Sequence, residues 1–245
     1  MLSKKSWEPE GVIQLALWLS ASYWLGLVAM NGLFVSHKLS PTQLEFMAVA
    51  IGTVSFHLMA LFLTYRFLRK EAIGWTEAFG FMTPRLGRAL LLALLVAVAA
   101  TPIAWSLGDL SAKIMKWIHL KPALQAPVEM LQSTASLTVK SLIGLLAIIL
   151  APFAEEVLFR GLLYPTLKQH GFPRLALWGT SVFFAASHCN LMTFIPLTFL
   201  AVVFALLYQT TGNLLAPIFA HSIFNLVGFV CALTQRLIPS AVPAS

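Results

Sequence analysis

Ala151–Pro165 reads APFAEEVLFRGLLYP. Glu155, Glu156 and Arg160 interrupt an apolar run that could cross a bilayer. Ionisable side chains are costly at that depth, and they mark either a buried pair or a functional site. Helix geometry separates the two acids: neighbours point about 100° apart, so Glu155 and Glu156 face different surroundings. Glu156 and Arg160 are four residues apart with the acid first, the favourable order for an ion pair. That pair reads as mutual neutralisation. Glu155 has no partner on its own helix and is the better candidate for a working carboxylate.

The rest of the chain supports a membrane setting. Of 245 residues, 59% are hydrophobic and 10% charged, and the mean hydropathy is +0.84. A soluble domain usually carries about a quarter charged residues. Val12 to Phe34 has no charge, and Arg88 to Trp105 is charged only at its first residue. The expected fold is all-α, a polytopic integral membrane protein. Since a spanning helix needs about 20 apolar residues, spans are placed near 11–35, 44–67, 88–107, 141–163, 174–190, 192–210 and 213–235. Leu107, Leu110, Ile114, Trp117 and Ile118 recur at helical spacing beside Lys113 and Lys116. They predict a helix in the interface plane, or else one additional short span. Residues 1–140 read as scaffold helices plus this interfacial segment, and 141–235 as the helices carrying the site, in one membrane domain.

Net charge is +7, but its placement matters more. Arg66, Arg69, Lys70, Arg85 and Arg88 crowd one connection, and Lys4 and Lys5 precede the first apolar run. The positive-inside rule puts that connection, the loop 160–174 and the N-terminus in the cytoplasm. Lys113, Lys116 and Lys121 fall on the other side. A basic folded surface with interleaved aromatics is absent, so nucleic acid is not an expected partner. Lys4 and Lys5 with Ser20-Ala21-Ser22 mimic a signal peptide. The apolar run continues to Val35, beyond a signal h-region, which predicts an uncleaved first span. Cys189 and Cys231 offer no disulfide framework.

Polar residues gather in the C-terminal half, with His188 on the fifth helix and His221 with Asn225 on the seventh. His221 and Asn225, in HSIFN, share a helix face and can donate to an oxyanion or orient a water. Pro217 cannot donate to the carbonyl of Asn213, which predicts a kink, and Pro152 predicts the same ahead of Glu155. Irregular backbone at depth is tolerated where it lines a water-filled cavity. Cys189 beside His188 is no nucleophile pair, because helix neighbours diverge. His57 on the second helix reads as structural, and so does His188 taken alone. Three helices that each contribute a polar group read as a site.

EEVLFR matches an EExxxR pattern, FFAASH contains FxxxH from Phe184 to His188, and HSIFN matches HxxxN. In this order on successive apolar helices, they resemble the CPBP (CAAX protease and bacteriocin-processing, or Abi) family of intramembrane proteases, over about Leu142 to Leu233. The resemblance implies a glutamate-dependent hydrolase. Glu155 would act as general base on a water, assisted by His188, and His221 and Asn225 would stabilise the oxyanion. Glu156 and Arg160 would complete the first motif and shape the site. The implied substrate is a membrane protein or a peptide bearing a C-terminal lipid or sorting signal, in a bacterial inner (cytoplasmic) membrane whose lipid bilayer is the other partner. No cofactor is expected. Zinc held by Glu155, His188 and His221 is the alternative, against which stand the missing HExxH and the poor ligand Asn. A scaffold or self-immunity protein of the same fold, and a transporter with a proton relay, are the other readings.

Overall fold

The computed structural model describes residues 7–35, 39–82 and 85–234. Among them the regular structure is helical throughout. In chain order the helices are α1 (Pro9–Val35), α2 (Gln43–Lys70), a short α3 (Trp75–Phe79), α4 (Leu86–Trp117), a short α5 (Ala126–Ser133), α6 (Leu137–Gln169), an apolar but shorter α7 (Leu175–Ser187), α8 (Leu191–Thr211) and α9 (Leu215–Thr234). Six of these, all but α3, α5 and α7, are long and apolar enough to cross a membrane. The chain is a polytopic all-α membrane protein; six of the seven spans expected from hydropathy are such helices, and the one expected near 174–190 is the shorter α7. Lys4 and Lys5 lie outside the described residues.

Local chemistry sets the helix ends. Ser40 and Gln43 form a reciprocal capping box at the start of α2, with Ser40 N donating to Gln43 Oε1 at 2.8 Å and Gln43 N to Ser40 Oγ at 3.3 Å. This satisfies donors that a helix start otherwise leaves unpaired. Asn190 caps α8 through Thr193 N at 3.0 Å. Its amide also donates to the carbonyls of Ala123 and Leu124, tying the α4–α5 connection to the α7–α8 turn. Gly212 closes α8 in the left-handed region, where a residue without Cβ pays no penalty.

The structure revises the segment after residue 107. Leu107, Leu110, Ile114 and Trp117 are not a separate interfacial helix; they continue α4, which runs 32 residues to Trp117. Nothing between Trp105 and Trp117 removes a backbone donor, so the helix has no reason to stop there. It is closed just beyond Trp117 by His119, at φ 60°, where Leu120 N donates to Met115 O at 2.8 Å in a Schellman-type closure.

α4 is also what binds the two halves of the chain. Ala89, Ala93, Ala97, Ala100 and Ala104 form a buried stripe along it, packed on Leu200, Phe204 and Leu207 of α8 and on Ala216 and Ala220 of α9. Small residues at such spacing let helices approach closely where no hydrophobic drive separates protein from lipid. On the other side α1 packs along α2. A Cβ at Gly26 would lie 2.5 Å from Ser55 Oγ, so this crossing needs glycine.

Candidate active site

The two prolines act differently from each other. Pro217 is the third residue of α9, which begins at Leu215 with Leu215 N bonded to Asn213 Oδ1 at 2.8 Å. In the first turn a backbone N–H has no intrahelical acceptor, so losing it leaves no gap and the expected kink does not arise. Pro152 lies well inside α6, and there the ladder does change. Leu146–Leu150 forms a π-turn, and Ala151 N donates five residues back to Leu146 O. Ala147 O thereby loses its α-helical donor, and its π-register donor would be Pro152, which has no N–H.

Asn225 fills that gap: its Nδ2 donates to Ala147 O at 2.7 Å across the α6–α9 interface. The asparagine expected at an oxyanion is therefore also a clasp on the irregular turn before Glu155. Leaving a buried carbonyl unpaired costs about 1–3 kcal/mol. Asn225→Leu should lose about that much unfolding free energy in detergent, and a variant as stable as wild type would disprove the clasp.

A second π-turn, Val157–Leu163, follows the two glutamates. Glu156 and Arg160 form the anticipated ion pair, with Nη1 to Oε1 at 2.8 Å, and both side chains are essentially inaccessible, at 0% and 2%. Arg160 Nη2 also donates to Ala201 O on α8 at 3.1 Å. Its guanidinium lies over the Phe184 ring at 4.6 Å and near that of Phe204 at 5.7 Å. Pairing, a carbonyl and two ring faces together accommodate a buried cation.

His221 joins this pair, which sequence reasoning did not foresee. Its Nδ1 lies 2.9 Å from Glu156 Oε1. A carboxylate that also accepts from Arg160 can only accept, so the imidazole carries its proton on Nδ1, and His221 is held with Nε2 turned elsewhere. The ring stacks on Phe204 with centroids 5.2 Å apart. Nε2 stands 3.9 Å from Glu155 Oε2.

Glu155 points away from the ion pair, as the 100° rule requires. Its side chain is 12% exposed, and its other oxygen, Oε1, stands 3.7 Å from His57 Nε2 on α2. Both separations exceed direct hydrogen-bond distance, so both oxygens keep capacity for a water. His188 reaches the same cluster through Phe184, whose ring centroid is 4.9 Å from that of His188 and 6.0 Å from that of His221. It sits in the turn after α7, next to Cys189 at φ 49°, with Nδ1 2.8 Å from Phe184 O. That carbonyl can only accept, so the proton is on Nδ1 and Nε2 is left as an acceptor.

The structure thus brings Glu155, Glu156, Arg160, His188 and His221 together from α6, the α7–α8 turn and α9, with Asn225 one turn along α9. It adds His57. The signal for His57 was present: it is the sole Asp, Glu, His, Lys or Arg between Glu45 and Arg66, and intramembrane histidines are functional candidates by default. Among the described residues, no three His, Cys, Asp or Glu side chains are grouped as a metal ion would require.

Comparison with known proteins bears on the same part of the chain. Residues 137–227 match the family described as Type II CAAX prenyl endopeptidase Rce1-like. That range contains all three motifs, so the resemblance to the CAAX protease family stands, and this part of the chain is CAAX-protease-like. A protein of Bacillus subtilis (strain 168), described as the uncharacterized protein YpbD, is 39% identical over 87 residues, which cover 34% of this chain. The match spans 41% of that relative's own length. No solved structure matches the chain.

Proposed function

We propose that the protein is an intramembrane endopeptidase that hydrolyses a peptide bond of a membrane-associated protein by a glutamate-activated water. The observation that carries this reading is the state of Glu155. It is a carboxylate among apolar helices, left out of the neighbouring ion pair and faced instead by histidine nitrogens at 3.7 and 3.9 Å.

In this reading Glu155 takes a proton from water as the oxygen attacks the scissile carbonyl, and returns it to the departing amine. His188 Nε2 accepts the water's second hydrogen and orients it. His221 already donates Nδ1–H to Glu156, so it can donate to an oxyanion only as imidazolium, with Glu156 as its fixed counter-ion. Asn225 uses one amide hydrogen on Ala147 and offers the other to the oxyanion. Donors set in place before the reaction are the effective kind, because they need no reorganisation at the transition state. The substrate would be a membrane protein or a lipidated or sorting-signal peptide, met within a bacterial cytoplasmic membrane, with the N-terminus on the cytoplasmic side.

The test is a comparison of protein termini in host membranes carrying wild type or Glu155→Gln at equal abundance. Termini made only by wild type support the peptidase. An unchanged set refutes it and favours a scaffold or self-immunity role.

The proposed chemistry uses side chains and water alone. Formation of those termini should therefore continue in membranes treated with 1,10-phenanthroline. Loss of activity restored by added zinc would replace this mechanism with one in which Glu155, His188 and His221 hold the metal.

A further inference from the structure

His57 lies outside residues 137–227, the part of the chain that matches the protease family, yet it faces Glu155. Three observations concern how it gets there. First, α2 is not regular at this point: Thr53–Leu58 is a π-turn, which inserts a residue and re-aims the side chains it carries. Second, this turn packs directly on the Ala151–Glu156 stretch of α6, and Gly26 lets α1 back it closely. Third, Nδ1 is buried and has no hydrogen-bond partner among the described residues.

The third observation separates His57 from a histidine that only serves the fold. His170 and His188 each tie Nδ1 to a carbonyl one turn back, at 2.8 Å. His57 does not. With nothing to receive a proton on Nδ1, the favoured tautomer carries it on Nε2, which faces Glu155 Oε1. Phe56 meets the ring edge-on, with centroids 5.2 Å apart, and limits its swing.

We propose that His57 is a positioning residue for the catalytic carboxylate: its Nε2–H, 3.7 Å from Glu155 Oε1, holds that oxygen through one bridging water and leaves Oε2, on the His221 side, to take the proton from the attacking water. The scaffold half of the chain thereby completes the site. The inference rests on the peptidase reading. A hydrogen bond to a charged group contributes about 1.5–3 kcal/mol and one bridged by a water is nearly as good, so its loss should slow turnover by about 10- to 100-fold.

The experiment uses the full-length protein in detergent and a quenched fluorogenic peptide spanning the cleavage site mapped from wild-type-dependent termini. His57→Gln and His57→Asn are both neutral amides. The Gln amide nitrogen reaches about where Nε2 lies, and that of Asn only to the position of Nδ1. His57→Gln should keep kcat within a few-fold of wild type. His57→Asn and His57→Phe should lose about 10- to 100-fold in kcat with KM unchanged. The proposal is overturned if all three match wild type, or if Gln is as impaired as Asn, which would indicate packing rather than a placed N–H. Thermal unfolding of each variant separates loss of fold from loss of rate. If no Glu155-dependent terminus exists, the peptidase reading falls and this inference with it. If such termini exist and the His57 variants form them at the wild-type rate, this inference alone falls.

Discussion

Glu155→Gln should reduce peptide hydrolysis by about 10²- to 10⁴-fold, the usual contribution of a general base, while the fold survives. The amide keeps the volume and planar shape of the carboxylate but cannot take a proton from water. Stability should change little, because Glu155 has no part in the pair between Glu156 and Arg160. Its own neighbours stand at 3.7 and 3.9 Å, beyond direct contact. Removing a charge from an apolar interior even relieves a desolvation cost. The check is kcat on the mapped peptide together with the midpoint of thermal unfolding in detergent. A variant that unfolds like wild type and turns over like wild type would take the base role away from Glu155.

The largest loss of stability is expected from Arg160→Met. Arg160 neutralises Glu156 at 2.8 Å and supplies the carbonyl of Ala201 with a donor at 3.1 Å. Glu156 is fully buried, and among the described residues only His221 would then face its charge. Breaking a buried pair from one side costs about 3–5 kcal/mol, mainly because the other charge is left uncompensated. The companion Glu156→Leu should be harmful alone for the same reason. Combined in one chain, the two substitutions should recover much of the stability, since an apolar pair of similar volume removes both charges together. Activity should not return. His221 would have lost the acceptor on Nδ1 that sets its orientation. A double-mutant cycle of unfolding free energies, read beside peptide hydrolysis, tests both halves. A stable double variant with wild-type activity would show that Glu156 serves the fold alone.

The chemistry of particular residues explains what could be read from the chain and what could not. EEVLFR carries its own geometry: four residues on one helix bring Glu156 and Arg160 together, and one residue turns Glu155 away. The same rule could not place Glu155 against anything, because its neighbours come from α2, the α7–α8 turn and α9. Pro217 misled because its effect depends on where the helix begins. A start at Leu215 makes the missing N–H irrelevant. Pro152 was recognised as disruptive. The form of the disruption, a π-turn whose stranded carbonyl is taken by Asn225, needs both helices at once.

The amino-acid sequence by itself determined the membrane class, the positions of the apolar helices, the ion pair and the motif set shared with CAAX-type proteases. All of these depend on composition or on spacing along one helix. Only the tertiary structure decided that His221 bonds to Glu156, that Asn225 clasps α6, and that His57 of α2 reaches Glu155. The reason is that helix periodicity fixes which face a side chain occupies, while packing decides which face of which other helix it meets. Here that packing turns on an alanine stripe, a close crossing at Gly26 and π-turns whose register no local spacing reveals.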